Sequence, residues 1–171
     1  MGTLGLAGGV EPIILPPTIP FQDFFRAQSP VVFRAALRVL NNAADAEDVM
    51  QTVFLRLYKQ SPPPDLAALP PAYMRRAAVC AAIDILRQRA TRGELPLDPS
   101  ASHPGMGNSA LLKETLRRAL SRLSAQDAEL FLLRNVEGFS YEELAELFAI
   151  ERGTVASRLH RIRQTLLEAL K

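Results

Sequence analysis

The sequence predicts an all-α protein, made of two small helical domains joined by a flexible linker. Leu, Ala, Arg and Glu dominate the 171 residues, tryptophan is absent, and strand-forming residues never alternate over a long stretch. Such a composition is typical of helices. Hydrophobic residues make up 48% of the chain, which is enough for packed cores. Proline and glycine concentrate between residues 93 and 108, and they separate two blocks of helical periodicity.

The first 20 residues are predicted to be a loosely ordered arm. They are apolar, rich in Gly and Pro, and contain no Lys or Arg, so they lack the charged start of a secretory signal. No apolar run approaches the roughly 20 residues needed to span a bilayer. We therefore expect a cytoplasmic protein without a membrane segment.

The single cysteine, Cys80, excludes an internal disulfide and a multi-cysteine zinc site, and we expect no metal or other cofactor.

Residues 21–92 are predicted to form the first domain, which begins with two helices. Ser29-Pro30 indicates a helix start, with Ser as the cap and Pro in the first turn. Asn41-Asn42 ends that helix, and Asp45 can cap the next one. Helical spacing relates the apolar residues of the two helices, which are Phe33, Leu37, Leu40, Val49, Val53 and Leu57.

A proline-rich stretch, Ser61 to Pro71, separates these helices from a third. Proline has no amide hydrogen to donate, so it disfavours a helix interior. In the third helix, the side chains of four apolar residues point one way: Met74, Ala77, Ala81 and Ile85. This helix ends in the basic residues Arg87, Arg89 and Arg92.

Residues 93–108 are predicted to be the linker, and residues 109–171 the second domain. Its first helix is marked by Leu112, Leu116, Ala119 and Leu123. Ser124 to Asp127 is a capping-box pattern that opens the second helix, and Gly138 closes it. Ser140 to Glu143 is another capping box, which opens the third.

The segment from Ser140 to Gln164 has the pattern of a helix-turn-helix. A short helix is followed by a three-residue turn, Ala149 to Glu151, and by a longer helix. The second helix of this motif lies in the DNA major groove. Its apolar stripe is predicted to contain Val155, Leu159, Ile162 and Leu166, and its opposite face Ser157, His160, Arg161 and Gln164, with Arg158 and Arg163 on the flanks. An amphipathic helix with ordinary solvent-facing residues is the alternative for any single position, but caps, turn and polar face together favour DNA binding.

Three segments together resemble a known family. They are DAEDVMQTVFLRLYKQ (residues 45–60), PAYMRRAAVCAAIDILRQRATR (residues 71–92) and FSYEELAELF followed by GTVASRLHRIR (within residues 123–170). The first two resemble region two, and the last resembles region four, of bacterial RNA polymerase sigma factors of the extracytoplasmic-function group. The resemblance implies a protein that binds core RNA polymerase and directs promoter-specific initiation of transcription.

The resemblance also implies roles for individual residues. Asp48 and Gln51 are expected to bind the clamp of core polymerase, although they could be an ordinary solvated face. The third helix is expected to open the promoter −10 element through Tyr73, Arg75, Arg76, Cys80, Arg87 and Arg89. The last helix is expected to read the −35 element through Arg152, Thr154, Ser157, Arg158, Arg161 and Gln164.

The sequence departs from the family pattern at several positions. Cys80 stands where the family usually has asparagine, and Tyr73, which could equally be a core residue, replaces a frequent tryptophan. Ala149 occupies a turn position often held by glycine, where a left-handed conformation costs about 1 kcal/mol. Because Cys80 and Tyr73 differ from the family pattern on the melting helix, DNA melting is expected to be weaker or to depend more on promoter sequence.

Three other functions are alternatives to this one. A helix-turn-helix regulator that never binds polymerase would not need the basic third helix. An enzyme is disfavoured, because the sequence has no Gly-rich phosphate loop, no metal-spaced His or Cys and no catalytic triad. A structural adaptor would have no affinity for DNA. The expected partners are core RNA polymerase, promoter DNA and an anti-sigma factor, and we expect the free chain to be a monomer that catalyses no reaction.

Overall fold

The structure is a computed structural model, and it describes residues 19–93 and 108–169. In these residues the chain forms helices and no strand, which confirms the all-α prediction. The helices are α1 Phe21–Leu40, α2 Ala43–Tyr58, α3 Pro71–Thr91, α4 Asn108–Arg122, α5 Ala125–Asn135, α6 Tyr141–Phe148 and α7 Arg152–Ala169. The predicted arm lies outside the described residues except for Ile19 and Pro20, and so does most of the predicted linker.

Helices α1, α2 and α3 pack into one bundle, and α4 to α7 pack into a second. The interior of the first bundle includes many small and branched side chains, among them Val32, Ala35, Ala36, Val49, Ala78, Val79 and Ala82. The interior of the second includes Leu130, Leu133, Phe139, Leu144, Val155 and Leu159. We refer to the two bundles as the N-terminal and C-terminal domains.

The predicted start of the first helix at Ser29-Pro30 was wrong. Helix α1 begins at Phe21, and Pro30 lies inside it. A proline in a helix interior removes one backbone hydrogen bond, a local cost that favours a boundary. Phe21, Phe24 and Phe25 each make an edge-to-face contact with Phe54 of α2. These contacts with a distant residue stabilise the turns before Pro30.

The cap of α2 also differs from the prediction. Asn42 is the N-cap, and its side-chain oxygen accepts a hydrogen bond of 3.1 Å from the amide of Asp45. The carboxylate of Asp45 instead pairs with Arg89 of α3, at 2.6 Å. The break after α1 was predicted correctly, because Asn41 ends that helix in the left-handed conformation with φ of 53°.

The capping box at the start of α6 is confirmed. The amide of Glu143 donates to the Ser140 hydroxyl at 3.0 Å, and the amide of Ser140 donates to the Glu143 carboxylate at 2.7 Å. At the start of α5, Ser124 caps the helix by accepting from the amide of Asp127 at 3.1 Å. The turn between α6 and α7 spans residues 149–151, as predicted. The first helix of the helix-turn-helix is thus fixed at its start by the capping box, and at its end the amide of Ala149 donates to the carbonyls of Ala145 and Glu146.

Ala149 adopts the left-handed conformation, with φ of 51°, and its side chain is exposed. We expect Ala149→Gly to raise the free energy of unfolding of the C-terminal domain by about 1 kcal/mol, because glycine has no Cβ to strain in this conformation. Chemical denaturation followed by circular dichroism would measure the change. Ala156→Gly in the interior of α7 is the control, and it should lower stability by roughly the same amount. A loss of stability in both variants would contradict the prediction.

The two domains are in contact with each other. Helix α3 of the N-terminal domain packs against α5 and α4 of the C-terminal domain. The sequence predicts two domains on a flexible tether and does not predict this contact. The contact decides which side chains of α3 reach solvent.

Candidate polymerase- and DNA-binding surfaces

A groove of about 410 Å³ lies between α2 and α3 on the exposed side of the N-terminal domain. Asp48 and Gln51 line it and are exposed, one turn apart on α2. Leu55 continues the same face and is 54% exposed, which is high for a large apolar side chain. Arg56 of α2 and Asp84 of α3 approach to 3.7 Å across the groove. The surface therefore combines a carboxylate, an amide and an apolar side chain, a composition that suits a protein partner with basic residues.

The six residues of α3 that were predicted to contact the −10 element divide into two sets according to their surroundings. Tyr73 is half-buried against the core, and its hydroxyl lies 3.5 Å from Nε2 of Gln60. Arg87 is exposed near the C-terminal end of α3, whereas Arg89 is held by Asp45. These three residues lie on the N-terminal domain.

The second set, Arg75, Arg76 and Cys80, faces the C-terminal domain. Nε of Arg76 donates to the carboxylate of Glu129 in α5 at 2.5 Å, and its Nη1 donates to the carbonyl of Leu147 at 3.3 Å. The guanidinium carbon of Arg75 lies 4.4 Å from the ring centre of Phe139. Arg75 and Arg76 therefore contact protein groups of the C-terminal domain.

Burial raises the pKa of the Cys80 thiol to about 12, and the neighbouring Glu129 carboxylate adds to the effect. Arg76 acts in the opposite direction but is outweighed. The thiolate is the reactive form of cysteine, so at neutral pH this thiol is protonated and a weak nucleophile. In this arrangement Cys80 is a packed residue.

Helix α7 presents one apolar face to the core and one polar face to solvent. Its buried residues are Val155, Leu159, Ile162 and Leu166, which confirms the predicted stripe. Five of the predicted −35 contacts are exposed: Arg152, Thr154, Ser157, Arg161 and Gln164. Arg152 forms a 2.7 Å pair with Glu142 of α6, in which both side chains are mostly exposed. An exposed polar face on the second helix is what the helix-turn-helix prediction requires.

Arg158, the sixth predicted −35 contact, has a different environment. Its Nη2 lies 2.7 Å from Oδ1 of Asp127 at the start of α5, and its side chain is only 18% exposed. Burial raises the pKa of the Asp127 carboxyl, but hydrogen bonds from Arg158 and Ser124 outweigh it and hold the pKa below its usual value. Arg158 therefore fixes α7 against α5, and any contact with DNA would share its guanidinium with Asp127.

Sequence reasoning missed the residues that join the two domains. Glu129 and Glu137 are buried acids of the C-terminal domain, and Arg38 of α1 pairs with Glu137 at 2.9 Å. Nε of Arg117 in α4 donates to the carbonyl of Val39 at 3.1 Å. One signal was available, because Glu129 interrupts an apolar run in α5 and a buried acid requires a partner. The sequence does not say that the partner is an arginine 53 residues away.

Within 19–93 and 108–169, no group of three His, Cys, Asp or Glu side chains could hold a metal ion. No helix in the same ranges is long and apolar enough to cross a membrane.

Taken together, a helical domain with an exposed amphipathic groove and a helix-turn-helix with a polar recognition face define a two-domain DNA-binding protein of transcription. The comparisons with known proteins identify the family. The family description "Sigma-70 region 2" matches residues 24–92, and "Sigma-70, region 4" matches residues 113–166. The chain belongs to the sigma-70 family and is a sigma factor of the extracytoplasmic-function (ECF) group, which directs the initiation of transcription.

Individual relatives agree with this assignment. RNA polymerase sigma factor CarQ of Myxococcus xanthus is 31% identical over 158 residues, covering 88% of this chain and 88% of CarQ. ECF RNA polymerase sigma factor SigL of Mycobacterium tuberculosis is 32% identical over 136 residues, covering 76% of this chain and 77% of SigL. Among solved structures, the sigma factor RpoE in complex with the anti-sigma factor NepR from Bartonella quintana matches with a TM-score of 0.50. That match is 21% identical and covers 88% of this chain and 96% of RpoE, so it supports the fold.

Proposed function

We propose that the N-terminal domain binds core RNA polymerase and opens the −10 element, while the C-terminal domain reads the −35 element. The observation that carries this division of labour is the position of the two exposed surfaces. The α2–α3 groove with Asp48 and Gln51 lies on one domain, and the polar face of α7 lies on the other. Each surface is exposed as the structure stands, so both can be engaged at once.

The α2 groove suits the polymerase. Val49 and Val53 are buried behind Asp48 and Gln51, so the helix is held rigidly while its polar face remains open. A carboxylate and an amide on a rigid helix offer hydrogen-bond acceptors to an arginine-rich surface, and Leu55 adds an apolar contact.

The surface of α3 suits a single DNA strand once it is accessible. Arg75, Arg76, Arg87 and Arg89 can neutralise phosphates, and Tyr73 can offer an aromatic face to a base. The loop Ser61–Leu69, which precedes α3, is proposed to form the pocket for a flipped base.

The polar face of α7 suits duplex DNA. Arg161 can donate two hydrogen bonds to guanine or hold a phosphate, and Ser157 and Gln164 can bond to base edges. Arg152 and Thr154 lie at the start of the helix, where the positive end of the helix dipole favours phosphate.

Further properties follow from the same proposal. The chain acts by binding, in the cytoplasm, and catalyses no reaction itself. It is proposed to be a monomer when free and to be held inactive by an anti-sigma factor, as RpoE of Bartonella quintana is found in complex with NepR.

Co-migration of the purified chain with bacterial core RNA polymerase tests the proposal. Asp48→Ala is expected to raise the dissociation constant about tenfold or more, since it removes a charge-assisted contact. Glu47→Ala is the control, because Glu47 is an exposed acid on the same helix that does not line the groove. If folded wild-type protein, free of any inhibitor, does not bind core polymerase, the chain is a helix-turn-helix regulator that acts without it.

A further inference from the structure

Helix α5 packs against both helices of the helix-turn-helix, α6 and α7. Asp127 and Arg134 lie seven residues apart on α5, which places them two turns apart along the helix and about 20° apart around its axis. Leu130 lies between them and is fully buried. One face of α5 therefore carries a charged side chain at each end of an apolar contact.

Asp127, at the start of α5, holds α7. Nη2 and Nε of Arg158 both donate to Oδ1 of Asp127, at 2.7 Å and 3.3 Å. The amide of Asp127 donates to the Ser124 hydroxyl, so the carboxylate belongs to a capped helix start. Hydrogen bonds between a guanidinium and a carboxylate are strong and have a defined geometry. The pair therefore fixes α7 against the start of α5, one turn before Arg161.

Arg134, near the end of α5, holds the start of α6. Its Nη1 donates to the carbonyl of Phe139 at 2.7 Å, and its guanidinium carbon lies 4.9 Å from the ring centre of Tyr141, the first residue of α6. The amide of Phe139 donates to the carbonyl of Leu133 at 3.0 Å. Consecutive residues of α5 thus hold both sides of Phe139 across the turn at Gly138, where φ is 76°. Arg134 therefore fixes the direction in which α6 leaves this turn.

These polar contacts add a precision that the apolar core does not supply. Hydrophobic contacts are non-directional, whereas hydrogen bonds weaken steeply when their angles are poor. A binding site works only when its side chains are held within about 0.5 Å and 10–20° of the productive geometry. Attraction to phosphates has no comparable requirement and carries no sequence information.

We propose that Asp127 and Arg134 are positioning residues, which orient the helix-turn-helix on α5 so that the exposed face of α7 discriminates between DNA sequences. Neither residue touches DNA in this arrangement. The inference rests on the proposed reading of the −35 element by α7. Loss of either residue is expected to reduce discrimination between sequences while most of the general affinity for DNA remains.

A ratio of two dissociation constants tests the proposal. It compares a scrambled duplex with a duplex of the same composition that the wild-type chain selects from a random library. Arg134→Ala and Asp127→Ala are each expected to lower this ratio about tenfold, as expected for the loss of a base contact. A variant that is merely less stable lowers the folded fraction for both duplexes equally and leaves the ratio unchanged. The salt dependence of affinity should stay the same, because no phosphate contact is lost.

Two further variants serve as controls. Lysine keeps the charge and can still donate to the carbonyl of Phe139, so the ratio of Arg134→Lys should stay within about threefold of wild type. Arg122→Ala removes the same charge from an exposed position in the last turn of α4. It should weaken binding to both duplexes equally.

Circular dichroism establishes that each variant is folded. If Arg134→Ala does not fold, Tyr141→Leu replaces it, because this variant loses the ring beside the guanidinium and should lower the ratio about threefold.

The wild-type chain distinguishes failure of this inference from failure of the function on which it rests. If wild type discriminates between duplexes and the folded variants keep its ratio, the positioning role is overturned and the reading by α7 stands. An equal loss of the ratio in Arg122→Ala would also overturn the positioning role, since general charge would then be responsible. If folded wild type has a ratio close to one for every duplex, the reading by α7 is overturned, and the positioning role with it.

Discussion

Replacing Leu159 by alanine is expected to lower the free energy of unfolding of the C-terminal domain by about 2–5 kcal/mol. Leu159 is fully buried in the middle of α7, in the same core as Leu144 of α6 and Val155. The truncation removes apolar contacts and leaves a cavity that the small domain can fill only in part. Because this loss is comparable to the stability of a small domain, a large fraction of the recognition helix would be unfolded at 37 °C.

Chemical denaturation measures the effect, and duplex DNA binding should fall in parallel. Leu167→Ala is the control, since Leu167 lies on the same helix and is 54% exposed. Its effect is expected to stay within about 0.5 kcal/mol. Equal losses in the two variants would mean that Leu159 does not pack as the structure shows.

Replacing Arg161 by alanine is expected to weaken binding to duplex DNA about tenfold or more, without loss of stability. Arg161 is exposed on the polar face of α7, where it can hold a guanine or a phosphate. The duplex is one that the wild-type chain selects from a random library, because the side chains alone do not define the promoter. Core polymerase binding should be unchanged, since the groove of Asp48 and Gln51 lies on the other domain.

Arg163→Ala is the matched control for Arg161→Ala. It removes the same charge from the same helix, about 160° around the axis, and should have a clearly smaller effect. Salt dependence then identifies the contact. A lost phosphate contact reduces the slope of affinity against salt by about one, whereas a lost base contact relaxes specificity at one position. If Arg161→Ala and Arg163→Ala weaken binding equally, α7 contributes only its general positive charge.

The helix-turn-helix could be predicted from the sequence almost residue by residue. Its boundaries depend on interactions within a few residues, such as the reciprocal bonds of Ser140 and Glu143 and the left-handed Ala149. Its buried stripe follows from helical periodicity, which does not depend on the rest of the fold. The exposure of Asp48 and Gln51 on α2 could be predicted for the same reason, because both residues lie opposite a buried stripe.

The errors in prediction arose where a distant residue outweighed a local rule. Pro30 indicates a helix start, but contacts of Phe21, Phe24 and Phe25 with Phe54 extend α1 before it. Asp45 is a plausible cap in isolation, but Arg89 of α3 takes its carboxylate. Arg158 has the position of a groove residue on a helical wheel, but Asp127 of α5 holds it.

The sequence by itself determined the helical fold, because periodicity and caps are local properties, and its resemblance to sigma regions two and four indicated the family. The tertiary structure decided which side chains are available. Arg75, Arg76 and Arg87 are equivalent in the sequence as basic residues of one helix, yet only Arg87 is exposed. The difference comes from Glu129, Glu137 and Phe139, which lie more than 50 residues away from Arg75 and Arg76 in the sequence. A charge's availability depends on what packs against it, and that packing exists only in the folded chain.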